Sequence, residues 1–404
     1  MGNDIAPGSD RFSRPTPSSD DFSRPLPPVL DPTVPPAGLR PAPKTLEISI
    51  TGRCNLRCKY CFYADEMAAL SDLPTKRWLA FFQELGQLAV QRVTLSGGEA
   101  FTRPDLFELI DGLIENKMRY GILTNGTLIN EATLQAFAVG KRRLRLDSIQ
   151  VSIDGSCAEV HNKSRPPNSF HRALEGLRLL VHARFPATVR VTINHHNVDD
   201  LENVARLLLE DIGLPGFSTN EAEEFGTARC HGQDVVLTEE ERQRAMDTLL
   251  MLNERYGGRI NAQAGPLSRA TFFAEIKELV ARGETGKPGR GTLCSCGGVF
   301  QKRAVLHGGT MVPCNLLPTL TMGVIGVNPL REAWQHHPSI NAVRQRREIP
   351  LDSLPTCHDC HYTGFCAGGC PASVMARYGR LNAVDPVFCY GNYVRMPKEP
   401  HDTL

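Results

Sequence analysis

The stretch Cys54-Asn-Leu-Arg-Cys58-Lys-Tyr-Cys61 decides how this chain is read. Its three cysteines stand at C-x3-C-x2-C spacing, directly after the β-branched run Leu46-Glu-Ile-Ser-Ile-Thr51. A four-iron, four-sulfur cluster normally takes four thiolates, one per iron. Three thiolates drawn from eight consecutive residues would hold three irons and leave the fourth open to a small molecule in a fixed pose. A zinc knuckle, or a set of reduced core thiols, is the competing reading of so short a run. What surrounds the run separates the two.

The chain has 404 residues, room for one large domain and a smaller one. Its 41% hydrophobic content suits a packed core, and its net charge of +1 makes no electrostatic case for nucleic acid or an anionic membrane. No apolar run reaches bilayer-spanning length, and the N-terminus lacks the apolar segment of a secretory signal. Thirteen cysteines without an export signal point to metal or redox work in the cytoplasm rather than structural disulfides.

Upstream of the cysteine run, residues 1–44 are rich in Pro, Ser and Asp. They carry a near-repeat, Ser9-Asp-Arg-Phe-Ser-Arg-Pro-Thr-Pro17 and Ser19-Asp-Asp-Phe-Ser-Arg-Pro-Leu-Pro27. Such a segment buries too little surface to offset its ordering entropy, so a disordered arm is expected, with docking by the repeat a lesser reading.

Downstream, strand and helix patterns alternate. Strands are expected at Leu46–Thr51, Arg92–Gly97, Arg119–Asn125, Ser148–Asp154, Thr188–Asn194 and Gly216–Asn220, with helices at Thr75–Val90, Pro104–Lys117, Asn130–Val139, Ser169–Phe185 and Asp199–Ile212. Asp199 with Glu202, and Thr238 with Glu241, read as capping boxes. Six strands alternating with helices predict a parallel sheet with right-handed crossovers, whose ligands sit at the carboxyl ends of the strands. Those ends carry Thr94-Leu-Ser-Gly-Gly-Glu99, Leu123-Thr-Asn-Gly-Thr127 and Val151-Ser-Ile-Asp-Gly155. Any one is compatible with an ordinary turn; three in chain order behind the cysteine run are not. Helices Thr238–Tyr256 and Pro266–Arg282 follow, and Gly286-Lys-Pro-Gly-Arg-Gly291 reads as a linker. Eight of the thirteen cysteines then lie between Cys294 and Cys389, which marks a second, metal-stapled domain; a zinc ribbon over Cys357 to Cys370 is the alternative.

On these residues, 46 to about 230 resemble a radical S-adenosylmethionine enzyme with a partial (β/α)6 barrel, an α/β fold. The resemblance implies that Cys54, Cys58 and Cys61 bind the cluster, with Tyr60 in the aromatic place between the last two. It implies that Gly97, Gly98 and Glu99 bind the methionine amino group, and that Ser152 lies near the ribose. Lys163, or Arg165, meets the methionine carboxylate.

The later cysteines resemble a SPASM extension, which carries two auxiliary four-iron clusters. By that resemblance Cys357, Cys360, Cys366 and Cys389 hold one cluster, and Cys370 crosses over to join Cys294, Cys296 and Cys314 on the other. The Cys294-x-Cys296 pair is tighter than in many relatives, so one of the two is open to being a bystander. The domains expected are an arm (1–44), a barrel (45–235), a helical bridge (236–291), the auxiliary-cluster domain (292–392) and a tail (393–404).

Two cysteines remain. Cys157 reads as a loop thiol, and Cys230 as either an inert thiol or a hydrogen-atom donor near the barrel mouth. His195, His196, His336 and His337 lack metal spacing and read as surface or helix-end residues. The run Lys141-Arg-Arg-Leu-Arg145 reads as a solvated loop, with contact to a peptide leader as the minority reading.

The resemblance implies reductive cleavage of S-adenosylmethionine to a 5′-deoxyadenosyl radical and hydrogen abstraction from a residue of a ribosomal precursor peptide. Crosslinking, epimerisation and residue excision are the outcomes. The partners implied are that peptide, a flavodoxin or ferredoxin as reductant, and a separate leader-binding protein, since the arm is too short to form a leader-binding domain. The alternatives are a sulfatase-maturing or small-molecule radical enzyme and, outside enzymes, an iron–sulfur electron carrier.

Overall fold

The computed structural model describes residues 31, 33–293 and 296–395. One nine-stranded sheet, in the order β7-β6-β5-β4-β3-β2-β1-β8-β9, runs through it. The strands are β1 (Thr45–Thr51), β2 (Arg92–Gly97), β3 (Arg119–Thr124), β4 (Leu146–Ser152), β5 (Ala187–Ile193), β6 (Phe217–Glu221), β7 (Ile260–Ala262), β8 (Lys302–Val305) and β9 (Met311–Val312). All neighbours pair parallel except β8 and β9.

The alternation within the strands explains the layers. In β1, Leu46, Ile48 and Ile50 are fully buried under the surrounding helices, so Glu47, Ser49 and Thr51 fall on the opposite face of the sheet. In β5, Val189, Val191 and Ile193 do the same, and Arg190 falls on the opposite face. Helices Thr75–Gln87, Leu106–Glu115 and Ser169–His182 turn Trp78, Phe82, Leu109, Leu113, Leu177 and Leu180 onto the apolar face, forming one continuous core. That core includes Val305, Met311, Trp334, Ile340 and Val343, so the expected boundary at 291/292 does not separate two cores. Strand β8 pairs with β1 and extends the barrel sheet.

Three further expectations are corrected. The expected arm is anchored before residue 44: Trp334 Nε1 donates to the Arg40 carbonyl (2.8 Å), and Lys44 N donates to Gln301 O (2.8 Å). The Phe-Ser-Arg-Pro repeat lies outside the described residues. Asp199 forms no capping box. The helix Leu201–Arg206 follows a 3-10 turn, and the neighbouring Asp200 accepts instead from Ser156 N and Oγ (2.7 and 2.8 Å). Arg142 is not part of a solvated loop: it forms a two-pronged pair with Asp111 (2.8 and 2.5 Å). The capping box at Thr238 and Glu241 forms as expected.

Candidate active site

The cysteine run leaves β1 at the carboxyl edge of the sheet, where its backbone is gripped from β2. Gly97 has a φ of +142°, and a Cβ there would lie 2.3 Å from the Thr51 carbonyl oxygen. A Cβ on Gly98 would lie 2.3 Å from Arg53 O and 3.0 Å from Cys54 Cβ. Only glycine allows that approach. Gly98 N donates to Thr51 O and Glu99 N to Arg53 O, each at 2.8 Å, fixing the segment that enters Cys54.

Glu99 is buried at 1% exposure. Its carboxylate accepts from Thr124 Oγ1 (2.7 Å), Asn125 N (2.6 Å) and Phe101 N (3.2 Å). Burial raises its pKa, and these three hydrogen bonds pull against the rise. Two carboxylate oxygens offer about four acceptor positions, so room remains for one further donor such as an ammonium.

On the other side of the run, Asp154, two residues past β4, is fully buried. It accepts from Arg165 Nε (2.5 Å), Thr192 N (2.8 Å) and the Tyr60 hydroxyl. Burial raises the Asp154 carboxyl, but the charges of Arg165 and His161 bring it below the ordinary carboxylate range. Arg165 also stands over the Tyr60 ring (5.5 Å) and puts Nη1 3.9 Å from Cys58 Sγ. The basic residue against the cysteines is therefore Arg165. Lys163 is exposed on the helix Ala158–Ser164 and, among the described residues, makes no hydrogen bond or ion pair with the cysteine run. Ser152 ends β4, half-buried on the same edge of the sheet.

A third clamp comes from the segment after β6. Thr227 N donates to Cys61 O (3.1 Å) and Thr227 Oγ1 to Cys58 O (3.0 Å). A Cβ on Gly226, whose φ is +49°, would lie 2.1 Å from Cys61 O. Lys59 Nζ pairs with Asp234 Oδ2 (2.6 Å) across the same interface. Cys230 lies in this clamp, on the helix Ala228–Val235, and is exposed. Cys157 precedes the helix Ala158–Ser164.

Burial raises the pKa of all three thiols, Cys61 to about 11, and Cys54 and Cys58 each add to the rise at Cys61. Cys61 thus lies within electrostatic reach of both other thiols, and all three are half-buried. The later cysteines fall into two neighbourhoods. Cys357, pushed up to about 11 by burial, is also raised by Cys366, Cys389 and Cys360. Cys314, pushed up to about 12 by burial, is also raised by Glu47, Cys370 and Cys296. Cys294 lies outside the described residues. Among the described residues, no three His, Cys, Asp or Glu side chains close on one point as a single metal ion requires. A four-iron cluster distributes its thiolates over separate irons, and the three-thiol edge with its adjoining guanidinium suits that group.

His195 and His196 pair with Glu241 (2.6 Å) and Asp234 (3.2 Å). His337 precedes the helix Pro338–Gln345 and accepts from Ser339 N (3.3 Å). Sequence reasoning had placed Asp154 on a rim without giving it a role, and it missed Thr227 and Gly226. The signal for Asp154 is its position just past the alternating apolar residues Ile149, Val151 and Ile153; nothing in the local sequence marks Thr227.

Residues 48–208 match the Radical SAM superfamily. The chain is 27% identical over 365 residues to an AdoMet-dependent heme synthase of Methanosarcina barkeri, covering 86% of this chain and 97% of the relative. It is 28% identical over 353 residues to a PqqA peptide cyclase of Ruegeria pomeroyi, covering 86% and 87%. Its fold superposes on Streptococcus suis SuiB bound to the precursor peptide SuiA with a TM-score of 0.64 at 15% identity, covering 86% of this chain and 76% of that one. The match takes in the cysteine run and five of the nine strands, so residues 48–208 carry a Radical SAM domain, a family that implies S-adenosylmethionine and a four-iron cluster.

Proposed function

We propose that this enzyme takes a hydrogen atom from a residue of a ribosomally made precursor peptide, leaving a crosslink, an inverted centre or an excised residue. The observation that carries the reading is the reach of the likeness to the PqqA peptide cyclase. It covers 86% of the chain, far more than the 48–208 domain, and so extends into the cysteine-rich region.

Cys54, Cys58 and Cys61 would hold the cluster, with Tyr60 and Arg165 closing one flank. The Gly97-Gly98 backbone and the free acceptor position of Glu99 would receive the amino group of S-adenosylmethionine, Arg165 its carboxylate, and Ser152 its ribose. Loaded, the site supplies one-electron cleavage of a sulfonium bond and a carbon-centred radical. The chain's own work is to hold the cofactor's two charged ends, keep water out and aim the radical at one C–H bond.

The two later groups of thiols, Cys357, Cys360, Cys366 and Cys389, and Cys296, Cys314 and Cys370 with Cys294, would hold two auxiliary clusters. These would take an electron from the substrate or contact it. A flavodoxin or ferredoxin would supply electrons, and a separate protein would present the leader. Exposure of Cys230 leaves it unprotected as a radical donor, so a role in hydrogen return is the weaker part of the reading.

The test is anaerobic incubation of the reduced, reconstituted enzyme with short peptides encoded beside its gene, followed by mass analysis. Loss of two hydrogens, uptake of one deuterium from the solvent, or a larger loss confirms peptide modification. The heme synthase among the relatives supports one second reading, a small-molecule substrate. Unmodified peptides together with consumption of a tetrapyrrole would favour it and overturn the first.

A further inference from the structure

The inner face of the sheet carries a cation, Arg190, that forms no ion pair among the described residues. On β1, Glu47 receives Lys302 Nζ from β8 (2.8 Å) and Asn315 Nδ2 (2.7 Å), so Lys302 is answered. Arg190, on β5, projects from the same face as Glu47, opposite the apolar side chains of its own strand. Its hydrogen-bond partner is a neutral one, Gln150 Oε1, which accepts from Nη2 at 3.2 Å. Its Nε is buried without a partner. Among the described residues no carboxylate forms an ion pair with it; the charge of Glu47 reaches it only across the lumen. Burial lowers its pKa, and Glu47 pulls against that fall, as expected for a guanidinium lacking a close anion.

Two acceptors share this condition. Asn220 Oδ1 on β6 and Asn315 Oδ1 after β9 are buried and unpartnered. Native chains rarely leave buried polar atoms unpaired, because each forfeits its hydration without return. Here one guanidinium edge and two amide oxygens are left open inside one lumen, whose rim bears the cysteine run. Lys302 lies close enough for Cys314 to raise its pKa, so this lumen borders the Cys296, Cys314 and Cys370 group as well.

We infer that Arg190 receives a carboxylate of the substrate residue, and that Asn220 and Asn315 accept its amide N–H groups. A guanidinium presents N–H donors in a fixed fork that matches both oxygens of a carboxylate, and a peptide bears N–H groups on either side of any acidic residue. This rests on the peptide reading and narrows it to substrates with a carboxylate at the modified position.

The probes are two capped amino acids of equal shape, N-acetyl-glutamate α-amide and N-acetyl-glutamine α-amide, titrated calorimetrically into the reconstituted enzyme with S-adenosylmethionine bound. The acid binds at least about tenfold more tightly than the amide, as a charge-assisted pair in an enclosed site requires. Arg190→Gln abolishes the preference and Arg190→Lys, which keeps the charge, retains part of it. Equal binding of the two probes, binding of neither, or a preference that survives in Arg190→Gln overturns the inference. Wild-type enzyme from the same batch is assayed for 5′-deoxyadenosine. Without that product the failure belongs to the enzyme class, and with it a missing preference counts against Arg190 alone.

Discussion

The two cysteine-bearing regions are held by different means. The run from Cys54 to Cys61 sits in a frame built from five strand ends: Gly97 and Gly98 from β2, Glu99 reaching Thr124 and Asn125 at the end of β3, Asp154 after β4, Thr192 on β5, and Thr227 after β6. Every one of these holds is a hydrogen bond, ion pair or backbone contact within the chain.

The region around Cys357 to Cys389 is built from 3-10 turns of three residues and helices of eight and six. Its apolar contacts fall into small clusters, one formed by Leu293, Leu351, Leu354 and Cys357 itself. Where the core is this thin, bound metal commonly supplies the missing stability. The barrel frame is thus held by the chain's own contacts, and on the proposed reading the later region would depend on a bound cluster.

The largest test of that contrast removes metal altogether. Stripping iron with a chelator collapses amide protection across residues 357–389 while β1 to β6 keep theirs, read by hydrogen exchange; equal loss in both regions would erase the distinction. If the two proposed auxiliary clusters are present, full loading corresponds to about twelve irons per chain, and Cys366→Ala is expected to release about four of them. Within the frame, Arg165→Met leaves Asp154 buried without its cation. Such a loss costs about 3–5 kcal/mol and is measurable by denaturant unfolding; Arg165→Lys recovers part of it.

The third test uses pH. Burial lowers the pKa of His161 to about 4, and the charge of Arg165 adds to that fall. The folded value lies below the unfolded one, so the stability it contributes is present above about pH 6.5 and is lost as pH falls toward 4. The shift corresponds to about 3 kcal/mol. His161→Gln should flatten that part of the stability curve of the barrel, whereas the thiol-rich region keeps its own acid response. The smallest effect comes from Thr227→Val, which removes one hydroxyl bond to Cys58 O and costs about 1 kcal/mol. Gly226→Ala, by contrast, forces a backbone clash with Cys61 and reduces formation of the reaction product far more.

How far the sequence revealed this is clear from the same residues. The six long strands were visible because alternation and β-branching coincide, and the capping box at Thr238 because its partner lies three residues away. Strands β7, β8 and β9 have two to four residues, too few for a period to register. Lys163 and Arg165 could not be separated by spacing, since the phase of a short helix decides which one faces the cysteines. Thr227 was invisible for a simpler reason: it meets Cys58 from 169 positions away, through a topology that no local pattern encodes. Asp199 failed as a cap because its neighbour Asp200 is held by Ser156, a contact between loops.

The most direct measurement of the central claim is product formation by the anaerobically reconstituted and chemically reduced enzyme supplied with S-adenosylmethionine. Cys54, Cys58 and Cys61 together are predicted to support release of 5′-deoxyadenosine and methionine, and Cys54→Ala to abolish it. An enzyme carrying its full iron that releases neither, or a Cys54→Ala variant that releases both at the wild-type rate, would contradict the account.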